Sequence, residues 1–179
     1  MGRRSVHLFV AGLLVAAGVA MAVPIAAGAY TTTGCKYSSS TVGIQKGVIA
    51  STDYDTALYR AQNRWDVLTQ VNLSFVSSSP LDAFTANLND TNVDGKSSWS
   101  CGSNGATTWS NARLNTQTTS GFGTEKKTVI WLHELGHASG LNHTGSPAGI
   151  MYTCPACAYN SYGTTSPRAD DKAGMNYLY

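Results

Sequence analysis

Histidine and charged residues are scarce in this sequence. Only four of its 179 residues are histidine, and only 12% are Asp, Glu, Lys or Arg, with a formal net charge of +2. So weak a charge excludes the broad basic surface of a nucleic-acid-binding protein, and we therefore expect no nucleic acid as a partner. No internal repeat is present either, which excludes a solenoid or another repeat array.

The one long apolar stretch lies at the N-terminus. Two arginines precede an apolar run from about Leu8 to Ala22, and small residues then lead to Ala29. This order is typical of a secretory signal peptide, whereas a membrane anchor would be longer and less rich in Ala and Gly. The arginine pair leaves a twin-arginine export route as a minor alternative. We expect a signal peptide at 1–29 and a secreted, extracellular protein without a membrane anchor.

Residues 30–179 would form the exported protein. They number about 150, enough for one domain with a sizeable core and too few for two ordinary domains. Cleavage would remove two positive charges and no negative ones, so the formal net charge would fall from +2 to about zero. This part of the chain is therefore expected to be a single domain without a basic surface.

All four cysteines, at positions 35, 101, 154 and 157, lie in this exported part. An even number in an exported chain predicts two disulfide bonds, but four cysteines allow three pairings and the sequence does not choose among them. The short separation of Cys154 and Cys157 favours a bond between these two, which would leave Cys35 with Cys101. A C-x-x-C pair also occurs in redox motifs and zinc knuckles, yet no second pair exists here and no helix signal follows Pro155.

The three histidines of the exported part share one motif. Residues 133–143 read His-Glu-Leu-Gly-His-Ala-Ser-Gly-Leu-Asn-His. On a helix His133 and His137 lie one turn apart on the same face, so both imidazoles can bind one metal ion. Gly140 suits the left-handed residue that ends a helix, and a chain that turns back there can bring His143 in as a third nitrogen ligand.

Glu134 gives the motif a reactive group. It lies beside the first histidine, close enough to act as a general base on water in the fourth metal position. A bare H-E-x-x-H pattern is a modest signal, but the longer H-E-x-x-H-x-x-G-x-x-H needs agreement at five positions. We therefore predict a single catalytic zinc with His133, His137 and His143 as ligands and Glu134 as the base.

The rest of the chain shows helix and strand signals. Apolar residues at spacings of three and four predict a helix over about 53–70, with Trp65 in the core. The zinc helix would begin at Thr124 or Ser120. The segment 77–105 is rich in Ser, Asn, Asp and Gly and is predicted to be loop. Short strands are predicted near 42–49 and at 71–76, 107–110 and 112–116, and a final capped helix near the C-terminus.

The loop contains one pattern that resembles a calcium site. Residues 90–95 read Asp-Thr-Asn-Val-Asp-Gly, the start of a calcium-binding loop, but Cys101 stands where such a loop places its bidentate glutamate. A plain solvated turn is the favoured interpretation. Calcium stays possible but unsupported.

The long zinc motif, followed eight residues later by Met151, resembles the metzincin clan of zinc peptidases, in which a methionine-containing turn lies beneath the metal. Within that clan the stretch from His143 to Tyr152 and the closing segment 170–179 are most similar to matrixins. The resemblance implies an α+β fold with a mixed twisted sheet, an N-terminal helix and a zinc-binding active-site helix. A small C-terminal subdomain would carry the Met-turn, with Met151 in a structural role, and the final helix.

The resemblance also sets expectations about organisation. An upper subdomain would span about 30–140 and a lower one 141–179. Residues 30–40 are too few for a folded propeptide and the family's cysteine-switch sequence is missing, with Cys35 as a miniature switch the minor alternative. No histidine is left for a second, structural zinc. His143 argues against the snapalysin-type peptidases, which have Asp as the third ligand.

The function implied is that of a secreted, monomeric zinc endopeptidase acting on proteins or peptides. Its substrate would lie extended along an edge strand, for which Thr107–Ser110 is the candidate. Two alternatives remain open: a zinc-containing peptide-binding module without turnover, and a hydrolase of non-peptide amides. The intact Glu134 counts against the first, because a binding module has no need of that carboxylate.

Overall fold

The computed structural model describes residues 30–179, so the predicted signal peptide lies outside the described residues. Within this range the chain forms a mixed α+β domain, as expected. Its strands and helices, in chain order, are β1 (Thr31–Thr32), β2 (Thr41–Lys46), α1 (Thr52–Leu68), β3 (Asn72–Val76), β4 (Leu81–Ala86), β5 (Gly95–Cys101), β6 (Thr107–Asn115), α2 (Thr116–Thr119), α3 (Thr124–Ala138), β7 (Leu141–Asn142), α4 (Pro155–Tyr162) and α5 (Ala169–Leu178).

Five strands make one mixed sheet in the order β3-β2-β4-β6-β5. The first four are parallel to their neighbours, and β5 runs antiparallel to β6 at the edge of the sheet. Helix α1 supplies the crossover that two parallel neighbours such as β2 and β3 require. A separate pair of short strands, β1 and β7, joins the N-terminal end of the described chain to the residues just after α3.

Helix α1 packs against α3 through the apolar stripe that its sequence predicts. Ala57, Leu58, Ala61 and Trp65 are all fully buried. The indole Nε1 of Trp65 donates a hydrogen bond to the backbone oxygen of Leu132, 3.0 Å away. Because a buried indole needs such an acceptor, Trp65 is both a core side chain and a tie between the two helices.

Helix α3 lies in the middle of the domain, and every residue from Lys127 to Ala138 is buried. A helix buried all round is one that other elements cover on several sides. It ends as predicted at Gly140, whose φ of 113° lies in the left-handed region, with the Gly140 N–H donating to the His137 oxygen at 3.0 Å. The chain then reverses into β7 and reaches His143.

The expectation of a loop over 77–105 was wrong, because this segment contains β4 and β5. Leu81 and Ala83 of β4 are fully buried, so the strand alternates between a buried and a more exposed face. Strand β5, Gly-Lys-Ser-Ser-Trp-Ser-Cys, has no such pattern, and its structure comes from the ladder that it makes with β6. Strand preference of this kind depends on the neighbouring strand and is not visible in local composition.

Two further expectations need correction. The predicted strands at 107–110 and 112–116 are one strand, β6, which lies between β4 and β5, so Thr107–Ser110 is not an edge strand. The C-x-x-C segment does lead into a helix, α4, with Pro155 in its first turn and Gly163 at its left-handed end. Proline at the start of a helix costs no hydrogen bond, which makes it compatible with a helix there.

Candidate zinc site

The side-chain nitrogens of three histidines meet at one point beside α3. The Nε2 atom of His137 lies 3.0 Å from that of His133 and 3.1 Å from that of His143. Ligands of a tetrahedral zinc ion, each about 2.0–2.1 Å from the metal, lie roughly 3.3 Å apart. The three nitrogens therefore have the spacing that a shared zinc ion requires. Among residues 30–179 this is the one group of three or more His, Cys, Asp or Glu side chains arranged to hold a metal.

The opposite ring nitrogens set the orientation of two of these ligands. His133 Nδ1 lies 2.8 Å from the Ile150 oxygen, and His137 Nδ1 lies 2.9 Å from the Leu141 oxygen. Because a carbonyl oxygen only accepts, each Nδ1 must carry the proton and donate, which leaves the Nε2 lone pair for the metal. These two histidines therefore suit a zinc ion both in their tautomer, which leaves Nε2 free, and in the spacing of their Nε2 atoms.

Burial also keeps the histidines neutral. It lowers the pKa of His133 well below the usual 6.5 and that of His137 to about 4. His143 is more exposed, and only partial desolvation of its ring lowers its pKa. A neutral imidazole is the form that binds a metal ion. At neutral pH the site therefore offers three uncharged nitrogen donors.

The third ligand is positioned by the start of the described chain. Strand β1 pairs with β7, and Thr31 is the partner of Asn142. The Thr31 hydroxyl donates to the His143 oxygen at 2.6 Å, and the His143 N–H donates to the Asn142 side chain at 2.8 Å. His143 is exposed, so these backbone contacts, and not burial, hold it beside His137.

Met151 lies beneath the zinc helix and is only 2% exposed. A Cβ added at Gly136 would collide with Met151 Sδ, so the methionine sulfur packs against the bare backbone of Gly136, between His133 and His137. The turn that carries Met151 is held by Asp171 of α5. Its carboxylate accepts hydrogen bonds from the N–H groups of Ile150 at 2.8 Å, Met151 at 3.0 Å and Arg168 at 2.8 Å. Burial nevertheless raises the pKa of Asp171 above its usual value.

Glu134 of α3 is 4% exposed, and its side chain extends toward strand β5. Its Oε2 is 2.7 Å from the Ser97 hydroxyl, and a Cβ at Gly95 would lie 2.5 Å from its Oε1. Burial raises the pKa of Glu134 to about 8, against the lowering effects of the Ser97 hydrogen bond and the Arg113 guanidinium. The sequence pattern did not indicate Gly95 or Ser97, because the strand that carries them was missed.

These groups face a cleft of about 380 Å³. One wall is the edge strand β5, where the Trp99 ring is stacked at 24° to the His137 imidazole with centroids 6.1 Å apart. The opposite wall is the start of α4. The residues lining the cleft are Asn92, Val93, Asp94, Gly95, Lys96, Ser97, Trp99, His133, Glu134, His137, Asn142, His143, Thr153, Cys154 and Pro155.

Both disulfides have the pairing that the spacing favours. Cys35 is bonded to Cys101 at the end of β5, and Cys154 to Cys157 beside the cleft. The described chain has no free cysteine, so Cys35 is not available as a thiolate switch in this structure. The first bridge ties the N-terminal segment to the edge strand, and the second closes the first turn of α4.

The calcium-like segment 90–95 is built as a turn. Asp90 Oδ1 accepts from the backbone N–H of Asn92 at 2.9 Å, an Asx turn. The Asn115 side-chain amide donates to the backbone oxygens of Asp90 and Val93 at 2.7 and 2.9 Å. These hydrogen bonds explain the turn without a cation.

The fold and the three-histidine cleft are those of the metzincin type. Comparison with known families agrees: the matrixin family matches residues 35–179, and the chain therefore belongs to the matrixins, a family of zinc metalloendopeptidases. The described residues contain no helix long and apolar enough to cross a membrane.

Two curated relatives resemble this chain over shorter stretches. Macrophage metalloelastase from Oryctolagus cuniculus is 41% identical over 51 residues, which cover 28% of this chain and 11% of the relative. Matrix metalloproteinase-20 from Homo sapiens is 39% identical over 79 residues, which cover 44% of this chain and 15% of the relative. The aligned part is thus a small fraction of each relative's length.

Proposed function

We propose that residues 30–179 are the catalytic domain of a secreted, monomeric zinc endopeptidase that cleaves internal peptide bonds, with Glu134 as the general base. The observation that carries the proposal is the convergence of three Nε2 atoms beside the Glu134 carboxyl group in a cleft with an edge strand on its rim. Membership of the matrixin family supports a peptide substrate. The apolar run that precedes Ala29 supports export.

The proposed role of each side chain follows from its position in the site. His133, His137 and His143 would hold the ion, leaving one position open. When bound, zinc supplies Lewis-acid chemistry, polarising a carbonyl and making water acidic enough to attack near neutral pH. Glu134 lines the cleft, and the positive charge of a bound zinc ion would favour its carboxylate form. In that form it accepts the proton of the attacking water and then donates it to the departing amine. Met151 supports the ligands from below and does not bind the ion.

Strand β5 is the surface on which we place the substrate. Among the described strands its hydrogen-bonded neighbour is β6 alone, so the backbone groups along its other side can pair with an extended peptide. Such pairing would lead a peptide bond past Glu134. Thr153, Cys154 and Pro155 form the facing wall, where the Cys154–Cys157 bridge limits movement.

The test separates chemistry from metal binding. Glu134→Gln should keep one zinc per chain and lose about three or more orders of magnitude in the rate of casein cleavage, because removing a base leaves ligands in place. Glu125→Gln is the matched control, since the Glu125 carboxylate pairs with Arg64 and Arg60 outside the cleft and its loss should leave the rate unchanged. A chelator should abolish wild-type cleavage, and zinc should restore it. Substantial cleavage by Glu134→Gln would overturn the assignment of the base.

A further inference from the structure

Strand β5 contacts the zinc helix through every second residue. Gly95, Ser97 and Trp99 share the face of the strand that is turned toward α3, because strand side chains alternate between the two faces. Gly95 and Ser97 meet Glu134, and Trp99 meets His137. The edge strand thus touches both functional types of residue in the motif, the base and a metal ligand.

Ser97 makes the most specific of these contacts. Its hydroxyl oxygen lies 2.7 Å from Glu134 Oε2 and 2.9 Å from the backbone oxygen of the same residue. A hydroxyl has one proton, so it donates to one of these oxygens at a time. When it donates to Oε2, it links the carboxyl end of the Glu134 side chain to a β5 residue 37 positions away.

The hydrogen bond from Ser97 limits the rotation of the Glu134 carboxyl group. A glutamate side chain has three rotatable bonds, and the last of them, which turns the carboxyl group, has the broadest preference. Gly95 packs against the Oε1 side, and Ser97 holds Oε2. The carboxyl group therefore lies between two consecutive inward-facing positions of one strand.

We infer that Ser97 is a positioning residue for Glu134: its hydroxyl holds the carboxylate in the orientation in which it can accept a proton from water in the cleft. The inference rests on the proposed function, because it assigns Ser97 a role through the base proposed there. A general base displaced by about 1 Å can lose a large part of its effect.

Kinetics of single and double variants test this. Ser97→Ala should lower kcat about tenfold, as loss of a hydrogen bond to a charged group predicts, with little change in KM. Ser97→Thr, which keeps the hydroxyl, should recover most of that loss. Ser78→Ala is the control, an exposed serine between β3 and β4 and outside the cleft, whose side chain should not affect kcat. Zinc content and melting temperature should be the same in all three variants.

A double-mutant cycle separates positioning from a merely structural role. Glu134→Asp shortens the side chain by one methylene, so its carboxylate should no longer reach Ser97. In this Glu134→Asp background, the further change Ser97→Ala should alter kcat by less than about twofold. A tenfold loss in both backgrounds would show that Ser97 acts on the strand as a whole and would overturn the inference. An unchanged kcat in Ser97→Ala would also overturn the inference.

Crystal structures provide a readout that does not depend on turnover. The Glu134 carboxyl group should occupy one orientation in the wild type and move or adopt several in Ser97→Ala, with the zinc ligands unmoved. If the wild type cleaves no peptide, the proposed function fails while this comparison still decides whether Ser97 holds Glu134. An unchanged Glu134 side chain in Ser97→Ala would refute the positioning role even in an active enzyme.

Discussion

Gly95 lies directly against the carboxyl group of Glu134. A Cβ at residue 95 would be 2.5 Å from Oε1 and 2.7 and 2.8 Å from Cγ and Cδ, closer than real Cβ atoms approach other heavy atoms. The edge strand and the zinc helix are therefore close because residue 95 has no side chain. Any larger residue there must move either the strand or the carboxyl group.

Replacing Gly95 should lower both activity and stability. In Gly95→Ala the added methyl group should displace the Glu134 side chain, lowering kcat at least about tenfold and the free energy of unfolding by about 1–3 kcal/mol, the usual cost of overpacking. Gly121→Ala is the control, because nothing lies within 4 Å of a Cβ at that exposed position. Rates and denaturant midpoints of both variants check this. Equal activity in the two variants would contradict the contact.

Removing the third histidine should weaken metal binding without unfolding the protein. His143 is exposed, so His143→Ala should change the free energy of unfolding of the metal-free protein by less than about 1 kcal/mol. Its zinc affinity should fall by at least about tenfold, because two histidines remain where three converge. Zinc titration of chelator-treated protein, with Asn160→Ala on α4 as an exposed control, measures both effects. Zinc retained at wild-type affinity would exclude His143 as a ligand.

Asp171 should be essential for the turn that carries Met151. Asp171→Asn replaces one acceptor oxygen with an amide that faces backbone N–H groups, and we expect a loss of about 2–4 kcal/mol in the free energy of unfolding. The control is Asp53→Asn, an exposed aspartate in the first turn of α1, which shares the favourable position near a helix N-terminus but has no such partners. Urea unfolding compares them. Similar losses in the two variants would mean that the buried hydrogen bonds contribute nothing beyond the helix dipole.

Alkaline pH should destabilise the domain through Tyr37. Its hydroxyl lies 2.7 Å from that of Ser110 in the core, and burial raises its pKa from 10.0 to about 12. Because the folded state prefers the protonated phenol, the stabilisation is complete below pH 10 and is lost as the pH rises toward 12. Tyr37→Phe should be less stable than the wild type below pH 9.5, but its free energy of unfolding should decline less between pH 9.5 and 11.5. Parallel pH curves for wild type and variant would rule out Tyr37 as the titrating group.

The parts of the site that were predictable from sequence depend on local geometry. His133 and His137 are four residues apart, and a helix places such residues on one face whatever surrounds it. Gly140 ends that helix through its own φ angle, which depends on the absence of a side chain. The apolar stripe of α1 was readable for the same reason, because a period of 3.6 residues is a property of the segment itself.

The inferred support of the base was not predictable, because it depends on a strand without a local signal. The composition of β5 is that of a loop, and it becomes an edge strand only by pairing with β6. The substrate strand was placed on Thr107–Ser110 because sequence does not show the order of strands in a sheet. Ser97 and Glu134 are 37 residues apart, and no periodicity links positions that only the sheet brings together.

The sequence by itself determined the metal-binding chemistry, since His133, His137 and His143 are close in the chain and a helix with a left-handed end can bring them together. Tertiary structure alone decided which strand forms the cleft, which groups hold Glu134 and how the Met151 turn is anchored. Asp171 reaches Ile150 and Met151 from 20 or more residues away, through a helix packed against the turn. Contacts between distant segments depend on packing of the whole domain, and that packing is not encoded in any single stretch of residues.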